Sequence, residues 1–166
     1  MKVLSKQASI AWCRDHSITL NDRTLPDLVG AELEFEIPND TQKRVYLANR
    51  AMEEFKNEPV LLVWFHDWSV WPSGQRMHIF DRLRLSYGED RPIIDAPAQL
   101  FEQMELEDAT SFVTLAVVFL WDCYVVVPNQ SKFLFFSHDE YGLVRGVDFR
   151  DGIRWLKIRP TVRGEG

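Results

Sequence analysis

A chain of 166 residues, 46% hydrophobic and 13% aromatic, carries enough apolar surface to offset the entropy lost on folding. That excludes a disordered chain and fits one domain burying roughly two thirds of its unfolded surface. A net charge of −6 excludes the clustered basic footprint by which nucleic-acid binders displace counterions from phosphate.

Leu4, Ala8, Ala11 and Trp12 recur at helical spacing and predict a first amphipathic helix over about Ser5 to His16. Asn21 to Gly30 holds Asn-Asp, Pro26 and Gly30 and reads as a loop. Ala31 to Ile37 alternates with period two, setting Leu33, Phe35 and Ile37 on one face and Glu32, Glu34 and Glu36 on the other. This is the clearest strand, and its acidic side predicts a wet face or an exposed sheet edge. Pro38 ends it. Asn39-Asp40-Thr41 then offers a cap for a second helix running to about Asn57, with Val45, Ala48, Met52 and Phe55 on one face.

Val60 to Phe65 is apolar without alternation, as expected of a central strand covered on both faces. Ser73 can cap a third helix lined by Met77, Phe80, Leu83 and Tyr87 and stopped by Gly88. Asp95 can cap a short helix from Ala96 to Met104, with Leu100, Phe101 and Met104 inward. Residues 109–120 fit either a helix capped by Asp108 or a strand, since periodicity does not choose within so apolar a run. The whole stretch from Phe112 to Val127 is shorter than the roughly 20 residues of a membrane-spanning helix and contains Thr114 and Asp122, so it reads as core. Tyr124 to Val127, the turn Pro128-Asn129-Gln130-Ser131, and Lys132 to Ser137 predict a β-hairpin. Gly142, Gly146 and Gly152 divide the remainder, with Ile153 to Ile158 as a last strand and residues 160–166 as a frayed end. The sum is a single α+β domain over 1–166, with a mixed or largely antiparallel sheet of four to six strands and helices mainly on one face.

Two His-Asp dipeptides close apolar runs. His66-Asp67 follows Val60 to Phe65, and His138-Asp139-Glu140 follows Phe133 to Ser137. Were both runs strands of one sheet, groups able to move protons or bind metal would converge at its edge. His66 and Asp67 lie where a strand gives way to a loop and a helix, a place where α/β sheets bind ligands, and Ser73-Gly74 would open that helix toward an anion. A metal there would take one or both histidines as nitrogen ligands and Asp67, Asp139 or Glu140 as oxygen ligands. Neighbours in a strand point to opposite faces, however, so His138 and Asp139 can share a metal only if the strand has already ended. The spacing is not diagnostic, and the sequence alone assigns no metal ligand and no cofactor. The helical context of His-Asp phosphohydrolases is absent, as are a nucleophile elbow, a phosphate loop, a zincin motif and a Cys-x-x-Cys pair. Cys123 paired with His138 or His66 is a poor nucleophile, because Asp122 beside it raises its pKa. Asp122 is itself unusual: a carboxylate in the most apolar part of the chain needs a partner, such as an Arg, or its pKa rises.

Cys13 and Cys123 are far apart, and Met1-Lys2-Val3-Leu4 is followed at once by polar residues, so a cytoplasmic protein with reduced thiols and no signal segment is expected. Residues 141–166 hold 6 Lys and Arg against 3 Asp and Glu, while residues 1–140 hold 13 against 22, so the basic tail is expected to pair with the acidic body. The expected function is non-catalytic binding of an unidentified protein partner, with no nucleic acid and no membrane. Glu32, Glu34 and Glu36 on an edge strand would serve with Trp68, Trp71 and Tyr141 as anchors. In composition the chain resembles small acidic α+β domains of bacterial type, including toxin-neutralising immunity proteins, and no motif carries that likeness further. The alternative is a metal-assisted hydrolase using His66, Asp67, His138, Asp139 and Glu140. Convergence of these groups on one point discriminates between the two.

Overall fold

A computed structural model describes residues 1–67, 77–148 and 153–161. Eight strands form one antiparallel sheet: β1 (Lys2–Leu4), β2 (Leu33–Glu36), β3 (Val60–His66), β4 (Ala98–Glu102), β5 (Asp122–Val126), β6 (Phe133–Phe136), β7 (Tyr141–Arg145) and β8 (Ile158–Pro160). Their spatial order is β1-β4-β3-β5-β6-β7-β2-β8. Four α-helices accompany them: α1 (Lys6–Asp15), α2 (Thr41–Met52), α3 (Met77–Ser86) and α4 (Leu106–Phe119).

The pleat sorts the apolar residues into two cores. Leu61, Val63 and Phe65 of β3 join Cys123, Val125, Leu134 and Phe136 under α2, α3 and α4. Leu62 and Trp64 turn the other way and pack with Tyr124, Phe133 and Phe135 against α1 and the following loop through Cys13, Ile18 and Leu25. A strand flanked by two cores cannot alternate in polarity, which is why Val60 to Phe65 reads as a continuous apolar run. α1 and α2 have side-chain N-caps. Ser5 Oγ accepts from the Ala8 N–H at 3.2 Å and Asp40 Oδ1 from the Lys43 N–H at 2.8 Å. α4 resolves the ambiguity of residues 109–120 in favour of helix; it starts at Leu106, so Asp108 lies in its first turn instead of capping it, and it closes with Leu120 in the left-handed region.

Four expectations are corrected. The sheet has eight strands, not four to six. The segment read as a helix over Ala96 to Met104 is β4, which pairs with β3 on one side and β1 on the other; Phe101 is buried, whereas Met104 is 94% exposed. An open strand edge on each side outweighs a helical spacing this short. The last strand is Ile158–Pro160 rather than Ile153 to Ile158, and β7 was not anticipated. Finally, the acidic strand is not at an edge. β2 lies between β7 and β8, Lys157 Nζ sits 2.7 Å from Glu36 Oε2, and Arg159 pairs with Glu34, so two cations of the basic tail meet the acidic strand, while Arg150 and Arg163 fall outside the described residues.

One glycine is required by packing. Gly142 is the register partner of Phe35, and a Cβ added there would lie 2.0 Å from Phe35 Cζ. The ring, which also meets Phe136 edge-on at 5.8 Å, occupies the space a side chain would need. The contact fixes β7, and with it the β6–β7 turn that carries His138.

Candidate functional site

The antiparallel register brings the two His-Asp dipeptides together. His66, the last residue of β3, is the direct cross-strand partner of Asp122, the first residue of β5. β6 ends at Phe136 opposite Cys123, and the chain turns back over the same sheet end through Ser137 to Glu140. The strand has therefore ended before His138, and the objection that His138 and Asp139 must face opposite ways does not apply.

His138 folds over Asp122. Its backbone N–H donates to Asp122 Oδ1 at 2.8 Å, and its ring Nδ1 lies 2.8 Å from the same oxygen. With the carboxylate as acceptor, Nδ1 carries the proton and Nε2 presents its lone pair outward, 3.5 Å from Asp139 Oδ1. The Asp122 side chain is only 11% exposed. Burial pushes its carboxyl above the ordinary range, with Asp67 adding to the shift, against the two hydrogen bonds from His138. Burial works to lower the His138 imidazole, but the bond and charge of Asp122, with Asp139 and Asp67 behind it, carry the net shift upward.

Asp67 approaches from β3. Its backbone has φ +46, in the left-handed region that Asp tolerates better than most residues. Its N–H donates to His66 Nδ1 at 2.7 Å, while Oδ1 lies 3.1 Å from the same ring nitrogen. The N–H makes Nδ1 an acceptor and leaves the proton of His66 on Nε2. Asp67, Asp122 and His138 each offer one ligand atom, and these atoms lie within 4.8 Å of one another. Among the described residues they are the one group of metal-ligating side chains so close together.

His66 and Asp67 also form one wall of a cleft of about 680 Å³, within the size range of small-molecule sites. Trp64, Leu25, Ile93 and Ile94 give it an apolar lining, and Lys6 and Arg23 add two cations. Tyr124, tilted against Phe135 at 4.6 Å between ring centroids, is the cross-strand partner of Trp64. Burial raises its phenol above the ordinary range, Asp122, Tyr141 and Asp67 add to this, and Arg23 opposes it. The carboxylates and the guanidinium thus act on one hydroxyl.

The remaining sequence candidates lie apart from this cluster. Asp139 flanks it, exposed. Glu140 turns away to Arg44 at 3.3 Å; that buried guanidinium also donates to the Pro38 and Val118 carbonyls and so pins the turn to α2 and α4. Glu34 and Glu36 are engaged with β8, and Glu32 accepts from the Gly146 N–H at 3.1 Å. Tyr141 is half-buried against Phe135. Trp68, Trp71 and the Ser73-Gly74 anion site fall outside the described residues. Cys123 is fully buried, its thiol pushed up by burial and then by Asp122, which removes it as a nucleophile. Asp122 has the partner its burial calls for, the histidine His138, and its carboxyl is also shifted upward by burial. Arg23 and Lys6 carry no signal in the sequence, since nothing local tells a loop or helix cation at a cleft from any other.

No family model, no curated protein and no solved structure matches the chain at a significant level. No described helix is long and apolar enough to cross a membrane.

Proposed function

We propose that the chain is a divalent-metal-dependent hydrolase in which Asp67, Asp122 and His138 hold the metal at the mouth of the cleft. The observation that carries this is the convergence of their ligand atoms within 4.8 Å, beside an apolar cleft of about 680 Å³. Two carboxylates and an imidazole suit a Zn²⁺- or Mn²⁺-like ion. Three protein ligands leave positions for water and substrate, and the bound ion lowers the pKa of that water into the working range. His138 would offer a ring nitrogen: Nδ1 lies 2.8 Å from Asp122 Oδ1, so a metal held by both would take the place of the proton that joins them. His66, next to Asp67, is the group positioned to exchange protons with the water or the leaving group.

Protein binding through the acidic row has less support. A partner would have to displace Lys157 and Arg159 from Glu36 and Glu34 before meeting those carboxylates.

The test is metal content and thermal unfolding with Mn²⁺ or Zn²⁺ and with a chelator, in wild type and in Asp67→Asn and His138→Ala. A ligand present at 100 times its dissociation constant stabilises the state that binds it by about 2.7 kcal/mol, here a rise of roughly 5–11 °C in melting temperature. Wild type should show the rise, and neither variant should gain it relative to its own metal-free melting temperature. A wild type that neither retains metal nor responds to it refutes the proposal.

A further inference from the structure

The cleft has a chemistry of its own, and it narrows the substrate on the reading just given. We propose that the substrate is a phosphate monoester of an apolar or aromatic alcohol, with its dianionic phosphoryl group held between the metal and Arg23, Lys6 assisting, and its body lying on the exposed side chain of Ile94.

Charge balance carries the argument. A divalent ion between Asp67 and Asp122 cancels their charges. Arg23 and Lys6 then remain on the same cleft, neither in an ion pair with another described residue. Two uncompensated cations match a dianion, whereas a neutral ester or amide would leave both unsatisfied. Arg23 supplies the planar fork that phosphate oxygens accept in pairs, and Lys6 a point charge. The other lining residues, Trp64, Leu25, Ile93 and Ile94, bind no charge, so the group esterified to phosphate has to be apolar. In the reaction the oxygen of a metal-bound hydroxide forms a bond to phosphorus and the ester P–O bond breaks. The leaving oxygen takes the proton that the water gave up, so ester and water become alcohol and hydrogen phosphate, with no redox change.

The experiment compares p-nitrophenyl phosphate, methyl phosphate and p-nitrophenyl acetate as substrates of the Mn²⁺-loaded full chain, in wild type, Arg23→Gln and Ile94→Ser. Both substituted residues are solvent-exposed, Ile94 by 68%, so the fold and the metal-induced rise in melting temperature are retained. Arg23→Gln should raise KM for p-nitrophenyl phosphate by about tenfold or more, the loss of one charge-assisted contact. It should leave any turnover of the neutral acetate unchanged. Ile94→Ser should raise KM for the aryl phosphate and not for methyl phosphate. A metal-induced rise without hydrolysis of the aryl phosphate, or equal KM values in wild type and Arg23→Gln, overturns the substrate assignment and leaves the metal site standing. Absence of the rise in wild type overturns both.

Discussion

Replacing Gly142 by Ala sets two principles against each other. In a strand interior Ala is ordinarily better than Gly by about 0.5–1 kcal/mol, because Gly loses more freedom on folding, and the backbone of Gly142 is not in the left-handed region. Propensity therefore predicts stabilisation. Packing predicts the reverse: the new Cβ would stand 2.0 Å from Phe35 Cζ and 2.5 Å from both Cε atoms. The ring would have to retreat by roughly 1.5 Å to reach ordinary carbon contact at about 3.5 Å. Phe35 is 1% exposed and lies against Phe136, so it has no free volume to enter. Overpacking of this kind costs about 1–3 kcal/mol, a fall of roughly 2–12 °C in melting temperature for a domain of this size. A double-mutant cycle isolates the cause. Phe35→Ala alone should cost about 3–5 kcal/mol, and in that background Gly142→Ala should be neutral or slightly stabilising, as propensity alone dictates. Thermal and urea unfolding followed by far-ultraviolet circular dichroism measures all four corners. Gly142→Ala at or above wild-type stability, or an equal penalty with and without the Phe35 ring, refutes the steric account.

Two further outcomes test electrostatics away from the cleft. Hydrogen bonding from Arg91, against the opposing effect of burial, holds the Glu89 carboxyl below its usual range. A depressed folded-state pKa contributes stability that is present above the unfolded value of about 4.3 and is lost as pH falls through the folded value. Glu89→Gln should accordingly show a shallower loss of urea midpoint on acidification than wild type, and parallel curves would contradict this. Burial pushes the Cys13 thiol up to about 12 and the Cys123 thiol well above its ordinary value. Both should resist a thiol reagent in the native protein at pH 8 and react fully in denaturant; native labelling of either would show that its burial is wrong.

The parts of the fold legible in sequence were those where one element's own pattern decides its fate. The Glu-Leu-Glu-Phe-Glu alternation marked β2, and Asp40 and Gly88 marked helix ends. The misread parts depend on partners distant in the chain. Ala98 to Glu102 has helical spacing and a cap before it, and becomes a strand because β3 and β1 offer it two edges. β7 contains Gly142, which lowers any local strand signal, yet that glycine is there because a phenylalanine from β2 needs the space. The site divides the same way. His66, Asp67, His138 and Asp139 drew notice as dipeptides ending apolar runs, and Asp122 as a carboxylate out of place. That these are one problem, with the second histidine solving the buried acid, required the pairing of His66 with Asp122 across β3 and β5. Arg23 and Lys6 were illegible because a cleft is a property of the assembled surface.

The position of β8 has a consequence for how the chain is made. β2 pairs with β7 on one side and with residues 158–160 on the other. During synthesis its outer side stays an open hydrogen-bonding edge until some 120 further residues have been added. An open edge recruits strands from other molecules unless something repels them. In that interval Arg159 and Lys157 are not yet there to pair with Glu34 and Glu36, and like charges on a second nascent copy would oppose stacking. The carboxylates that later bind Arg159 and Lys157 first act as gatekeepers, so one row of acids guards the unfinished chain and fastens the finished one.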